Sequence, residues 1–454
     1  MITLELLIRA AFFIEIDLKK LEKGSKKLLN AWAFYDWANS VYTLTIASTI
    51  FPLYYGLLFV DRPNIVTIFG FDVKNSALIS FVTAFTFFVI SFMSPILSGI
   101  ADYVGNKRIF LKFFCYTGSI GSIGLFWFDL DHIYISLLFY FFGLIGYWGS
   151  LVFYNSYLPD IAYPEQQDSI SAKGFSIGYI GSVVLLIINL AMVMKPSWFG
   201  IIGDEPEKTA MKISFITVGI WWALFSQYTF YLLPKGNSNQ NKVVRNVIFN
   251  GFKELNQVWK QLKENLILKR YLYAYFVYSM AVQTIMLVAV YFGEQEILWK
   301  NKSEKTTGLI ISILVIQLVA VVGSNLTSRM SSKYGNIKTL IGINIIWMFL
   351  CVAAYFVWTP IQFYITAGFV GFVMGGVQAL SRSTYSKFLP KTEDTTSYFS
   401  FYDITEKVGI VIGMVIYGSI DQLTGSMRNA ILFLFVFFLI GVVLLFRVPK
   451  QNLT

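Results

Sequence analysis

Apolar runs of membrane-spanning length recur along the whole of this 454-residue chain. A helix needs about 20 mostly apolar residues to cross a bilayer, and in lipid only helices and closed barrels satisfy their own backbone hydrogen bonds. Hydrophobic residues make up 56% of the chain and charged residues 14%, whereas soluble domains carry about 25% charged residues. We therefore predict an all-α membrane protein with twelve transmembrane helices, at 30–58, 77–101, 109–128, 133–158, 170–194, 213–233, 270–292, 307–329, 338–358, 361–388, 397–419 and 427–447.

The distribution of basic residues predicts the orientation of these spans, because Lys and Arg are enriched in cytoplasmic loops. With the N-terminus placed inside, 26 of the 36 Lys and Arg residues lie on inner segments and 9 lie in outer loops. Both termini are therefore predicted to be cytoplasmic. The net charge of +10 is then explained by orientation, without a nucleic-acid partner.

Internal repeats divide the spans into two groups of six. SGIADYVGNKR at 98–108 matches SRMSSKYGNIK at 328–338, an offset of 230 residues. Tyr157-Leu-Pro159 matches Phe388-Leu-Pro390 at an offset of 231. Duplicated six-span halves are a transporter architecture, with the substrate site near the midplane between the halves.

The sequence predicts five segments with different roles. They are a cytoplasmic N-terminal segment (1–29), two pseudo-symmetric six-helix bundles (30–233 and 270–447), a cytoplasmic linker (234–269) and a cytoplasmic tail (448–454). The apolar start of the first segment is too short to span and has no small-residue cleavage site, so we interpret it as an interfacial helix or an upstream extension.

The linker is predicted to contain an amphipathic basic helix. Its apolar line alternates with lysines that lie off that line, which suits an anionic membrane surface. Packing of the same helix on the inner ends of the spans is an equal alternative. The apolar line consists of Ile248, Phe252, Leu255, Trp259, Leu262 and Leu266, and the lysines are Lys253, Lys260, Lys263 and Lys269.

Polar and charged residues within the spans are the candidate solute or proton pathway. Asp36, Asn39, Ser40 and Thr43 follow helical spacing on one face of the first span. A charged side chain inside a bilayer is costly unless it faces a cavity or a partner. We therefore treat each such residue as a candidate functional residue. A purely structural Glu406/Lys407 pair and snorkelling bases are the alternative. The candidates are Asp36, Asn39, Thr43, Tyr154, Asn155, Gln283, Gln378, Arg382, Glu406 and Lys407, and we expect Asp36, Arg382 and the Glu406/Lys407 pair to line one cavity.

The loop after the second span resembles the loop signature of the major facilitator superfamily. Asp102 is followed by Gly105 and then by Lys107 and Arg108, and the second copy keeps Gly335 but has Ser332 in place of the acid. The resemblance implies that Asp102 pairs with these basic residues and with the start of the eleventh span. That contact would hold an inner gate shut.

Four span motifs resemble the vacuole-effluxer branch of that superfamily, which is named for a vacuolar amino-acid exporter. The resemblance implies the major facilitator fold and points to the plasma membrane of a prokaryote. The motifs are YDWANSVY (35–42), YNSYLPDIA (154–162), GFSIGYIGS (174–182) and GGVQALSRSTYSKFLP (375–390).

These features favour a monomeric secondary active or facilitative transporter of a small solute. No phosphate-binding G-x-x-x-x-G-K-[ST] loop and no His/Cys cluster occurs, so no cofactor or metal is expected. Acids and bases in one cavity would suit a zwitterion such as an amino acid, and the acids would allow proton-coupled efflux. The alternatives are a membrane enzyme acting on a lipid-linked substrate and a non-transporting sensor.

Overall fold

The protein is a multi-pass helical membrane protein. The structure, a computed structural model, describes residues 21–60, 62–235 and 247–449, so the interpretations of residues 1–20, the linker before 247 and the end of the tail lie outside them. Among the described residues, ten helices are long and apolar enough to cross a membrane. The first and eleventh predicted spans are also helical. A π-helix interrupts the first, and the eleventh carries Asp403, Glu406 and Lys407. Twelve crossings therefore stay a prediction.

The helices follow the predicted spans with end shifts of up to seven residues. Within the first predicted span, a nine-residue π-helix, Tyr42–Ile50, joins the first two helices. In chain order they are α1 (Lys26–Val41), α2 (Phe51–Leu57), α3 (Asn75–Val104), α4 (Lys107–Gly124), α5 (Ile133–Ser156), α6 (Leu158–Ile161), α7 (Pro164–Met194), α8 (Pro206–Leu232), α9 (Val247–Glu264), α10 (Leu266–Glu296), α11 (Lys302–Tyr334), α12 (Asn336–Tyr355), α13 (Pro360–Phe388), α14 (Thr395–Thr424) and α15 (Met427–Phe446).

Two hydrophobic cores organise these helices. One contains buried residues between 28 and 233, and the other contains buried residues between 258 and 448 together with Tyr179. Close backbone contact helps to build the first core. A Cβ on Gly146 of α5 would lie 2.2 Å from the backbone of Gly118 on α4, so glycine is required where these helices cross. We call the two helix groups the N-half and the C-half.

The two ends of the bundle differ. We call the end where α3 meets α4 and α14 begins the Asp102 face, and the opposite end the hairpin face. The hairpin pairs β1 (Ile65–Ile68) with antiparallel β2 (Phe71–Lys74). Its two-residue turn has positive φ at Phe69 and Gly70, as a type I′ turn requires. The sequence interpretation treated this segment as a plain outer loop and missed the hairpin.

The linker helix α9 packs on the protein at the Asp102 face. Val258 and Leu262 are buried, and the Tyr398 hydroxyl of α14 donates to Gln261 Oε1 at 2.8 Å. Phe252 and Trp259 of the predicted apolar line are 49% and 43% exposed. The packed-linker alternative therefore describes one side of α9. On the predicted line, Phe252 is about half exposed, whereas the partly exposed Trp259 ring still lies 5.4 Å from that of Phe401.

Candidate functional site

A cavity of about 290 Å³ lies between the N-half and the C-half. It is lined by α1 and the π-helix, α5, α7, α10, α13 and α14, with Gln317 from α11. The charged residues in its wall are Asp36, Arg382 and Glu406. The other wall residues are mainly aromatic, apolar and uncharged polar side chains.

Asp36 and Arg382 connect the two halves across one end of this cavity. The Arg382 Nη2 atom lies 3.3 Å from Asp36 Oδ2, and the Tyr154 hydroxyl donates to the same oxygen at 2.8 Å. Asp36 is 4% exposed and Arg382 is 3% exposed. Burying either charge alone would be strongly unfavourable. Each side chain of the pair therefore offsets the cost of burying the charge of the other.

Arg382 has further partners that occupy its remaining donors. Its Nε donates to Ser171 Oγ at 3.0 Å and its Nη2 to the Ser171 carbonyl at 3.0 Å. Its Nη1 donates to Asn155 Oδ1 at 3.2 Å. The guanidinium also lies 4.2 Å from the ring centre of Phe175 and 4.8 Å from that of Trp32. The planar group is therefore fixed by hydrogen bonds at its edge and aromatic rings at its faces.

Glu406 and Lys407 do not form the predicted pair. Glu406 lines the cavity and accepts from Gln283 Nε2 at 2.5 Å. Lys407 is 1% exposed, is ion-paired with Asp403 and lies 5.1 Å from the ring centre of Trp148. Consecutive helical residues point about 100° apart, whereas Asp403 and Lys407 are four apart and share a face.

The remaining predicted pathway residues divide into two groups. Thr43, Asn155, Gln283 and Gln378 line the cavity with Asp36, Arg382 and Glu406. Asn39, Tyr154 and Lys407 are buried outside its wall. The interpretation missed most of the aromatic wall, since aromatic residues occur throughout these spans and spacing alone does not mark those that face a cavity. This wall contains Tyr42, Tyr147, Trp148, Phe175, Tyr179, Tyr275, Tyr278 and Tyr402.

The π-helix shapes the same cavity. Tyr42, Thr43, Leu44, Ala47 and Ser48 all line it. Such segments are rare and often occur at functional sites, because the wider turn redirects side chains. Here it directs adjacent residues of the first span into one wall.

Asp102 and the residues that it binds at the start of α14, Thr396 and Ser397, form the Asp102 cluster, which connects the halves at the Asp102 face. Asp102 accepts from the backbone nitrogens of Thr396 and Ser397 at 3.2 and 2.6 Å, at the start of α14. A carboxylate is stabilised at a helix N-terminus by the helix dipole. Gly105 follows with φ of 69°, where other residues would be strained.

The two basic residues of this loop have other partners than the resemblance implied. Lys107 is ion-paired with Asp160 at 2.5 Å and donates to Thr395 Oγ1 at 2.9 Å. Arg108 donates to the carbonyls of Phe230 and Leu233. Lys107 thus also connects the halves, whereas Arg108 binds the end of α8 within the N-half.

The second copy of the loop forms a different cluster, which the sequence interpretation missed. Asp168 of α7 is ion-paired with Lys387 at 2.6 Å and accepts from Ser331 Oγ and Asn336 Nδ2, each at 2.8 Å. We call these four residues the Asp168 cluster. The acid that is absent at Ser332 is supplied here from the other half. The sequence feature that indicated this cluster was Lys387, a basic residue in the last turn of α13. Gly335 has φ of 85°, as the repeat of Gly105 suggested.

Hydrogen bonds between the halves continue from these clusters toward the cavity. Ser176 Oγ lies 2.7 Å from Ser324 Oγ, and the Tyr179 hydroxyl donates to Gln378 at 2.7 Å. At the other end of the cavity, Ser48 and Leu287 line the wall and are exposed. The structure is therefore closed at the Asp102 face, and its cavity extends toward the hairpin face.

The sequence matches a family of membrane proteins over nearly its whole length. The family model described as "Vacuole effluxer Atg22 like" matches residues 24–453. The chain is 32% identical over 438 residues to an uncharacterised MFS-type transporter, YxiO, of Bacillus subtilis, covering 95% of this chain and 97% of that protein. It is 22% identical over 470 residues to autophagy-related protein 22 of Kluyveromyces lactis, covering 92% of each.

Solved structures of major facilitator transporters share the fold. The fucose:proton symporter FucP of E. coli aligns with a TM-score of 0.67 at 13% identity, over 94% of this chain and 98% of that chain. The proton:xylose symporter XylE aligns with a TM-score of 0.66 at 14% identity, over 93% and 95%. The predicted major facilitator fold is confirmed.

Proposed function

The chain belongs to the vacuole effluxer Atg22-like family of major facilitator transporters, and from that premise we propose that it carries a small solute by alternating access. The observation that supports this is the cavity between the halves, which is closed at the Asp102 face and contains charged residues from both halves. Separation of the Asp102 and Asp168 clusters, with closure at the hairpin face, would expose the same site to the other side.

The proposed orientation places the Asp102 face, the linker 234–269 and both termini in the cytoplasm of a prokaryote. We expect Ile202→Cys, an exposed position between α7 and α8, to react with a membrane-impermeant maleimide in intact cells. Lys391→Cys, an exposed position between α13 and α14, should react only in inside-out vesicles. The native Cys115 and Cys351 are buried and give low background. The reverse labelling pattern would overturn this topology.

Proton-coupled efflux of an amino acid is the finer form of the proposal. Glu406 supports it, because a carboxylate in the cavity wall can take up either a proton or an ammonium group. A zwitterion would also need a free base, and Arg382 is the base that lines the wall. Movement of the halves would have to release it from Asp36.

Reconstitution in liposomes tests the function directly. We expect purified protein to move a radiolabelled member of an amino-acid and amine panel, with protein-free liposomes as the control. An imposed proton gradient should accelerate flux if transport is proton-coupled. Protein that moves no member of the panel but modifies a lipid would favour the membrane-enzyme alternative, and protein that does neither would favour the sensor.

A further inference from the structure

We propose that the linker helix α9 binds anionic lipid headgroups at the membrane surface beside the Asp102 face. This surface lies outside the solute cavity, so the inference does not depend on the transported solute. Between 253 and 270 the chain carries five basic and two acidic residues. The proposed orientation places this segment at the cytoplasmic leaflet, whose anionic lipids attract basic residues close to the membrane. The helix and that leaflet therefore carry complementary charges.

The position of α9 places it at the perimeter of the helix bundle. It packs against α3 and α14. Asn265 separates it from α10, because the Asn265 side chain accepts from the Leu268 nitrogen and caps the new helix. Only 22% of the most apolar stretch of α3 is buried within the protein, so most of that span faces lipid. A helix that packs on α3 at the Asp102 face therefore lies beside the membrane surface.

A partly exposed aromatic line borders the buried side of α9. Val258 and Leu262 face the protein and are buried. Phe252 and Trp259 lie seven residues apart, on one face of the helix next to that buried side. Both rings remain exposed over almost half of their surface, although Trp259 also contacts Phe401. Such rings suit the boundary between lipid headgroups and acyl chains, where interfacial helices place Trp and Phe.

Exposed lysines accompany this aromatic line. Lys253 and Lys260 each follow one of its aromatic residues by one position, and both are exposed. Lys263 is exposed as well, and its ammonium lies 4.9 Å from the ring centre of Trp259. None of these three lysines has an ion-pair partner within the described part of the chain. The phosphates of lipids around the aromatic line would form charge-assisted hydrogen bonds with them.

A fluorophore on α9 tests this contact in the full-length protein in lipid nanodiscs. Phe252→Cys is labelled with nitrobenzoxadiazole, since the native cysteines are buried. The quenchers are phosphatidylglycerol and phosphatidylcholine that bear the same spin label near the headgroup. We expect the anionic lipid to quench about twofold or more strongly, because the lysines concentrate it around α9. Equal quenching by the two lipids would overturn the inference, and no quenching by either would overturn it in favour of a soluble partner.

Replacement of the α9 lysines tests which residues select the lipid. Lys253→Gln, Lys260→Gln and Lys263→Gln together should lower the ratio of quenching by the two lipids to about one. The matched control replaces by Gln three exposed lysines of the same face that lie outside α9, Lys333, Lys338 and Lys391. This control should keep the parent ratio. A parent ratio in the folded α9 variant, or an equal loss in the control, would overturn the assignment to α9.

Discussion

Replacing Arg382 by Gln, or Asp36 by Asn, is expected to destabilise the protein more than replacing both together. Each single change leaves one buried charge without its partner, and breaking a buried pair in this way costs about 3–5 kcal/mol. The double change removes both charges. It should restore much of the lost stability, although Ser171 and Asn155 still lose their guanidinium partner.

Membrane abundance and the thermal unfolding midpoint measure this prediction. The matched control is the ion pair of Arg62 with Asp131, whose side chains are 57% and 80% exposed. Arg62→Gln and Asp131→Asn should have little effect, since exposed pairs contribute about 0–1 kcal/mol. Normal abundance with lost flux in both cavity variants would contradict the structural part of this account and give the pair a direct role at the solute. Normal abundance and normal flux in both single cavity variants and in the double variant would show that the pair is not part of the transport pathway.

Asp168→Asn is expected to shift the conformational equilibrium of the Asp102 face toward its open state. The change removes the ion pair with Lys387 and weakens the hydrogen bonds from Ser331 and Asn336. A hydrogen bond to a charged group contributes about 1.5–3 kcal/mol, so the opening equilibrium should shift by about tenfold or more. Asp102→Asn should act in the same direction, because it weakens the contact with the start of α14.

Ser397→Cys is a suitable reporter for this opening. Ser397 is fully buried, and its hydroxyl has no hydrogen-bond partner among the described residues. A thiol there should react slowly in the parent and faster in both acid variants. Ser332→Ala is the matched control. Ser332 occupies the position of Asp102 in the second repeat, but among the described residues its hydroxyl bonds only to the carbonyl of Arg329 in its own helix. Equal reaction rates in all variants would show that the acids do not hold this face closed.

The features visible in the sequence were those that repeat along the chain or carry a cost in lipid. Apolar length located the helices, and the 230-residue offset located the two halves. Intramembrane charge marked Asp36, Arg382 and Glu406, because such residues need a cavity or a partner wherever the fold places them.

The missed features depend on contacts between distant segments. Asp168 lies in a polar helix start and has no sequence feature that distinguishes it, and its partners are 163 to 219 residues away. The Glu406/Lys407 pair was inferred from adjacency in the sequence. Helical geometry instead places Lys407 on the same face as Asp403, four residues earlier, and these two form the ion pair. The π-helix and the hairpin depend on local backbone conformation, which a hydropathy pattern does not predict.

Alternating access is the central claim, and one cysteine in the cavity tests it without knowledge of the solute. Thr43→Cys lines the cavity and is half-buried. We predict that a small impermeant thiol reagent reaches it from both sides, in intact cells and in inside-out vesicles.

Ser176→Cys with Ser324→Cys should allow a disulfide at the contact between the halves, where the two oxygens are 2.7 Å apart. Oxidation of this pair should abolish labelling of Thr43→Cys from the cytoplasmic side alone, and reduction should restore it. Labelling from one side only, or labelling from both sides that the disulfide leaves unchanged, would contradict alternating access through this cavity.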